Sequence, residues 1–473
     1  MNTSDILSTS HKALKINLDQ SIFGSFAEIG AGQEVARNFF QAGGASGTIA
    51  KTISAYDMSF SDNIYGESIS KRYVSRDRLQ KMLKTEAQEL TSVLKDKMNP
   101  KTRFFVFADT VTTINFNKDK EGQGWLGVRY QLDPKGKPNE VVLHVRMLEN
   151  DPLQQQKTLG ILGTNLIYAC FHHHHYPNWF LQSLFDSLHK DQLEITMISM
   201  SGPNLDYVDN RLLGVQLVKN GMARAIMFDA KGNLQHPADM LYKKNVMAFR
   251  GGFRPITYTG LDMIKSSYDL FKNDPDHHPN DTITLCEITI NNLLDDDDFS
   301  EQDFLDRVDI LNGIGQNVMV SNYDYYYKLV SYFSSFRIKN IRIVIGLPTF
   351  RKIFSKSYYA DLKGGILEAF GKLFPDNMKL YVYPEENPNQ HTINNSSHLN
   401  LSADLKHIYN YLMENRMILD IKKSNTHKMH FSSKEVIELI AKDDPKWKTM
   451  VSNYVATQIE TKKLFGFHMP ERK

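Results

Sequence analysis

The sequence predicts an α/β protein: a Rossmann-like doubly wound sheet, a second α/β region, and helical segments at both ends. Three observations predict it. Between Lys244 and Pro384, five short apolar runs rich in β-branched residues are each separated by a helical pattern, the alternation of a parallel α/β sheet. Residues 101–150 carry three runs of strand periodicity divided by polar Gly/Lys/Pro loops. The flanks, 1–100 and 386–473, show helical spacing instead. The expected regions are therefore 1–100 (mainly helical), 101–240 (α/β with an antiparallel meander), 241–385 (Rossmann-like) and 386–473 (linker and helical extension).

In the first region, Leu79, Met82, Leu83, Ala87, Leu90 and Leu94 form one apolar face of a charged helix that Pro100 closes. Gly30-Ala31-Gly32 has the start of a dinucleotide fingerprint. Its third glycine position falls on Val35, and no convincing strand precedes it. Lys51-Thr52 ends like a phosphate-binding loop, but Ala45 and Ala50 stand where its glycines belong. The small residues Gly43 to Gly47 are read as permitting close approach to a neighbour.

The meander is expected at Arg103–Val111, Trp125–Leu132 and Val141–Leu148. Asp109-Thr110 offers ligand contacts, with a turn-forming role preferred. Helices follow at Gln154–Cys170 and Trp179–Leu188, then a strand at Leu193–Met200, a helix at Asn210–Lys219 and a strand at Arg224–Phe228. Four histidines, His172 to His175, invite a metal reading. Consecutive residues diverge in a helix and alternate in a strand, so a solvated helix end is preferred and no metal site is assigned.

The stretch Asn245 to Leu270 reads as strand, glycine turn and helix. Val246 to Phe249 is apolar, Arg250-Gly251-Gly252 ends the run, and Pro255 keeps Arg254 out of helical geometry. Thr259 is placed at the N-cap, with Asp262 completing a capping box. Glycines between a strand and a helix N-terminus let backbone N–H groups face an anion.

Beyond it, strands are expected at Ile283–Ile290, Val318–Val320, Ile341–Leu347 and Met378–Tyr383. Ser300 caps a helix with Asp303 as partner, and further helices fall at Tyr325–Phe333 and Phe350–Phe374. Because ligands bind outside the carboxyl ends of such strands, Gly251, Gly252, Ser321, Asn322 and the Gly346-Pro348-Thr349 turn are candidates, with Glu287 to Thr289 behind them. Asp295 to Asp298 is read as an acidic loop rather than a magnesium site, and Tyr323 and Tyr325 to Tyr327 as core or interface aromatics. The C-terminal helices are placed at Ala403–Met417, Ser432–Ala441 and Trp447–Leu464.

The segment GGFRPITYTGLDMI resembles the first-turn signature of the nucleotidyltransferase superfamily, G-x-F-D-P-x-(H/T)-x-G-H, as in phosphopantetheine and nicotinate-nucleotide adenylyltransferases. Gly251, Phe253, Pro255, Ile256, Thr257, Tyr258, Leu261 and Asp262 match the phosphopantetheine version. Arg254 stands at the family's acidic position, Thr259 at its glycine and Gly260 at its last histidine, the residue that contacts the ATP phosphates. The whole chain also resembles a group of bacterial proteins that carry the label nicotinate-nucleotide adenylyltransferase. The resemblance implies ATP and magnesium as cofactors and a nucleotide or phosphorylated small molecule as partner. The cofactor-binding set would be Gly251, Gly252, Arg254, Thr257, Thr259, Gly260, Ser321 and Asn322, with catalytic residues unassigned. The alternative is a non-catalytic oligomeric binding or assembly protein on the same scaffold, with a homo-oligomer expected.

Composition narrows the classes further. At 473 residues, 41% hydrophobic and 23% charged, the chain is globular in character. Net charge is +2, from 56 basic and 54 acidic residues, so there is no general attraction to nucleic acid or an anionic membrane. Two distant cysteines, Cys170 and Cys286, argue against a disulfide framework. With no signal peptide or spanning segment read at the N-terminus, a cytoplasmic protein is expected.

Overall fold

Nine residues from Ile22 to Gly30, buried almost throughout, form the strand around which the first half of the chain is arranged. The computed structural model describes residues 6–68, 72–94, 99–275, 277–295, 298–387, 392–399, 401–422 and 431–468. It divides into two compact units, residues 1–226 and 227–473. The boundaries expected near 100 and 385 fall inside these units, and the one near 240 lies close to the division.

In the first unit, α1 (Thr9–Leu18) leads into β1 (Ile22–Gly30), followed by α2 (Glu34–Ala42), β2 (Ile49–Ser54), α3 (Met58–Tyr65) and α4 (Arg76–Leu94). The meander is β3 (Arg103–Thr112), β4 (Gly122–Tyr130) and β5 (Asn139–Met147). Then come α5 (Pro152–His172), α6 (Pro177–Leu184), β6 (Leu193–Ser201) and α7 (Asn210–Lys219). One six-stranded sheet runs β2-β1-β3-β4-β5-β6. β1 pairs in parallel with β2 and β3, and the remaining neighbours are antiparallel.

Side-chain alternation separates the two faces of this sheet. Gly127 lies against Leu79 and Leu83 of α4, whereas Phe107 meets the α5 face at Gly163. The α4 stripe expected from the sequence is thus the one that packs. β1 and β2 are strands that the reading of this region as mainly helical did not place. Gly43 and Gly44, at φ +84° and +74°, form the turn that ends α2 and approach the end of α1, where Asn17 donates to Gly43 O at 2.7 Å.

The second unit's sheet takes in β7 (Ala225–Phe228), then β8 (Leu234–Gln235), α8 (Pro237–Leu241), β9 (Asn245–Arg250), α9 (Tyr258–Lys272) and β10 (Thr282–Thr289). The hairpin β11 (Leu294–Asp295) and β12 (Asp298–Phe299) precedes α10 (Glu301–Gly313), β13 (Asn317–Ser321), α11 (Tyr326–Ser334) and β14 (Asn340–Gly346). Next are α12 (Leu347–Ile353), α13 (Gly365–Leu373), β15 (Met378–Tyr383) and a second hairpin, β16 (Glu385–Asn387) with β17 (Thr392–Asn394). The chain ends in α14 (Ala403–Glu414), β18 (Ile418–Asp420), α15 (Ser433–Ala441) and α16 (Asn453–Lys462). The strand order is β18-β15-β14-β9-β10-β13-β7-β8.

Five of these strands, β15-β14-β9-β10-β13, are parallel throughout. In sequence order they read 5-4-1-2-3, the Rossmann arrangement expected from the alternation, with β9 at the centre. Met247, Phe249, Phe271, Val344 and Tyr381 form a buried cluster against which Ile264 and Tyr268 of α9 pack. That cluster fixes the direction in which the chain leaves β9.

Candidate functional site

A connection that leaves β9 for one neighbour and later returns to the other opens a crevice at the strands' carboxyl ends. In the second unit this point lies between β9 and β14, where Arg250-Gly251-Gly252 and Gly346 emerge. Gly251 N donates to Glu287 O at 3.1 Å, extending the ladder one residue past β9. A side chain at Gly252 would meet nothing within 4 Å, so the turn borders open space. Phe253 follows at φ +48°, an uncommon conformation for a bulky residue and one that concentrates at ligand sites.

The cations expected to compensate phosphate charge are engaged elsewhere. Arg250 grips Glu287 through two bonds of 2.9 Å, donates to Asp324 O at 3.1 Å and stacks 4.4 Å from the Tyr326 ring. Arg254 Nε lies 2.7 Å from Asp303. Asp303 also pairs with Arg307, whose guanidinium donates to Gly252 O at 3.0 Å. Lys244 lies at the opposite end of β9, paired with Asp281 at 3.2 Å.

The start of α9 differs from the expected cap. Thr257, not Thr259, is the N-cap, its hydroxyl accepting from Gly260 N. A two-residue shift follows because Thr257 holds extended backbone (φ −96°, ψ 173°) while Tyr258 and Thr259 are already helical. The Asp262 carboxylate accepts from the Tyr383 hydroxyl at 2.6 Å.

The C-terminal extension closes over this turn. Tyr258 N donates to Met450 O at 2.9 Å, Thr257 Oγ1 to Phe431 O at 2.9 Å, and Ser433 Oγ to Pro255 O at 2.8 Å. The amides that an anion would seek are partly taken by protein carbonyls. Of the remaining candidates, Ser321 is buried and donates to Glu287 at 2.6 Å, while Asn322 is exposed at the end of β13.

The first unit has a crossover point of its own, between β1 and β3, which sequence reasoning passed over. Gly30-Ala31-Gly32 does follow a strand and does open a helix, α2. Gly30 adopts φ +83°, and a Cβ there would sit 2.0 Å from Val111 O, so only glycine fits. Beneath the loop, Glu28 and Asp109 stand directly opposite each other on β1 and β3, 3% and 0% exposed.

Asp109 is therefore a buried strand residue rather than a turn former. Neither of its carboxylate oxygens has a hydrogen-bond partner among the described residues, while Glu28 accepts from the Ala36 amide in the first turn of α2. Burial pushes the Glu28 carboxyl up to about 7, and burial together with the Glu28 charge pushes Asp109 well above the carboxylate range. At neutral pH the pair holds at least one proton, because two adjacent buried carboxylates cannot both ionise. The signal in the sequence was Glu28 two residues before Gly30, with Asp109 at the matching end of the next parallel strand.

Other sequence candidates take structural places. His172 ends α5 with its ring 4.3 Å from Tyr168, and His174 is buried. The run is thus a helix end, as expected, with His172 and His175 exposed and His174 alone buried. Desolvation lowers His172, to about 4, and also His173 and His174, so these three do not gather positive charge near pH 6.5. No group of metal-ligating side chains is found among the described residues. Asp296 and Asp297 of the acidic run lie outside them. Tyr325 and Tyr327 stack at 5.5 Å and lean on Tyr359. No described helix is long and apolar enough to cross a membrane.

No family model matches the chain, and no curated protein matches it. Solved structures do align with parts of it. The competence/damage inducible protein CihA from Agrobacterium tumefaciens is 16% identical, covering 34% of this chain and 94% of its own, at TM-score 0.26. A competence-damaged protein (CinA) superfamily protein from Enterobacter cloacae is 10% identical, covering 36% and 96%, at 0.26. A protein from Vibrio parahaemolyticus, provisionally described as a nicotinate-nucleotide adenylyltransferase, is 14% identical, covering 47% and 95%, at 0.25. At these scores the likeness carries no argument about function.

Proposed function

We propose that the second unit binds a nucleotide or a related phosphorylated small molecule in the crevice between β9 and β14. The observation that carries this reading is the reversal of strand order at β9, with Gly251-Gly252 leaving that strand beside open space. Backbone amides of such a turn suit a phosphate, and Tyr358, whose hydroxyl donates to the same Asp324 carbonyl as Arg250, lies at the same end of the sheet.

Binding without nucleotidyl transfer is favoured over an active adenylyltransferase. In-line transfer needs preorganised positive charge on the phosphates. Here Arg250 is held by Glu287, Arg254 and Arg307 share Asp303, and Gly260 stands where the resemblance places a histidine. Two carboxylates at this end of the sheet, Glu287 and Asp303, are committed to arginines rather than open to magnesium.

Calorimetric titration with ATP, with and without magnesium, and with nicotinate mononucleotide and phosphopantetheine tests the reading, with pyrophosphate release followed in parallel. Saturable binding without release is expected. Gly252→Asp, which adds a charge where there is room for it, should weaken ATP at least about tenfold at unchanged stability. Absence of binding to any of the three ligands by folded protein would remove the reading, and pyrophosphate release would convert it to the enzyme.

A second reading rests on Glu28 and Asp109. A buried carboxyl pair with one retained proton at a strand-end crossover is equipped for general acid–base chemistry. Carboxyl chemical shifts measured against pH decide whether the pair is unusual. Two ordinary carboxylate titrations would end this reading.

A further inference from the structure

On the face of the first sheet opposite Glu28 and Asp109, the registers line up one row of side chains across five strands. Lys51 of β2 stands opposite Ser25 of β1, Ser25 opposite Val106 of β3, Val106 opposite Arg129 of β4, and Arg129 opposite Glu140 of β5. From Lys51 to Arg129 the row spans three strand spacings, about 14 Å.

α4 crosses above this row without filling it. Its N-terminal half is packed on the sheet through Leu79, Met82 and Leu83, but past Leu90 its apolar side chains come out, Val93 being 55% exposed. Two cavities remain beneath the C-terminal half and share Leu90. The larger, about 610 Å³, has Phe104 and Val106 on its floor and Lys84, Arg129 and Gln131 at its rim. The smaller, about 290 Å³, is lined by Ser25, Lys51, Glu86 and Glu89.

The larger volume falls in the range of small-molecule sites, which are mostly apolar with a few placed polar groups. Charge is divided along the row that the two cavities follow. Lys84 and Arg129 line one end, where Glu140 pairs with Arg129 at 3.1 Å, so among the described residues that end carries two cations to one carboxylate. At the far end Lys51 is matched by Glu86 at 2.7 Å and Glu89 at 2.9 Å, so that end is net negative. Between them Ser25, 1% exposed, has a hydroxyl with no hydrogen-bond partner among the described residues. A buried hydroxyl left unpaired is unfavourable unless something else satisfies it.

We infer that this trough is a binding site for an elongated organic anion. A carboxylate head would lie at Lys84 and Arg129, an apolar body along Leu90 and Val106, and a hydrogen-bonding tip at Ser25. The site is separate from the crevice proposed for nucleotides and stands or falls independently of it.

The test uses the full chain and 10-hydroxydecanoate, long enough to cover the two strand spacings from Ser25 to Arg129, about 10 Å, together with the reach of the Arg129 side chain, with decanoate and 1,10-decanediol as controls, by calorimetry and saturation-transfer NMR. One molecule of 10-hydroxydecanoate should bind per chain, and the uncharged diol at least about fivefold more weakly. Lys84→Glu, an exposed change, should weaken both acids by a similar factor. Ser25→Ala should reduce 10-hydroxydecanoate towards decanoate and leave decanoate unchanged. Ala87→Trp, which fills the trough from α4, should abolish binding. The inference is overturned if the diol binds as well as the acid, if several molecules bind per chain as to a detergent surface, if folded Ala87→Trp still binds, or if folded wild type binds none. Should Ala87→Trp misfold, Lys84→Glu and the diol still decide.

Discussion

Glu28 and Asp109 link proton uptake to folding. Glu28 titrates near pH 4.5 when exposed and is raised to about 7 in the fold. The folded state therefore holds the proton more tightly. Its contribution is full below about pH 4.5 and is lost as pH rises through about 7, and Asp109, raised for the same reason, adds with the same sign. Thermal melts of wild type should fall across that window, and Glu28→Gln should flatten the fall. An identical pH profile in the variant would show that Glu28 is ionised in the fold. Arg250 and Glu287 behave differently, because each is the other's compensation. Glu287→Ala leaves a buried guanidinium without its bidentate partner and should cost about 3–5 kcal/mol in denaturant unfolding. Glu287 was only a secondary site candidate in the sequence, since nothing in a strand's pattern says which cation will lie across from it.

Loops and caps decide how these residues are presented. The turn from β1 to α2 runs over Asp109 so closely that a Cβ at Gly32 would lie 2.0 Å from its carboxylate. Gly32→Ala should therefore destabilise by about 1–3 kcal/mol. Gly47→Ala, where a Cβ meets nothing within 4 Å, should be neutral or slightly stabilising in the same urea titration. The contrast checks that contact, rather than glycine itself, is the cause. β1 escaped sequence reading because it is buried on both faces: IFGSFAEIG lacks the alternation of a half-exposed strand and contains two glycines. β3 to β5 were legible, as were α7 and the Ser300 and Ser432 caps, because their periodicity and cap residues agree. The Thr257 cap was misplaced by two residues because Thr259 is equally suited by type, and the competing choice is set by Phe431 and Met450, far away in sequence.

At the scale of the whole molecule, alternation revealed the five-strand core of the second unit but not its edges. β18 and β8, three and two residues long, extend the sheet without a pattern strong enough to read, whereas β7 was legible as a strand at Arg224–Phe228 but not as part of this sheet. The first unit was harder, since its sheet mixes parallel and antiparallel neighbours and draws its strands from two regions that differ in composition. Each unit has its own sheet and its own buried core. Residues 1–222 and 223–473, cut so that β7 stays whole, should each give a cooperative melt and retain far-UV dichroism when expressed separately. A fragment that is unfolded at all temperatures would show that the core of that unit is incomplete. The candidate nucleotide crevice was legible as a strand–turn–helix, whereas the ion pairs of its arginines were not, because ion pairing is a property of the assembled sheet.

The contact of Met450 and Phe431 with the first turn of α9 has a practical consequence for ligand screening. Trimming the C-terminal extension to obtain a smaller soluble protein would uncover the Tyr258 amide and the Thr257 hydroxyl together. Such a trimmed protein would acquire a phosphate-binding helix terminus that the intact chain keeps occupied. Hits found with it would report the surgery, and only those reproduced on all 473 residues would describe the protein.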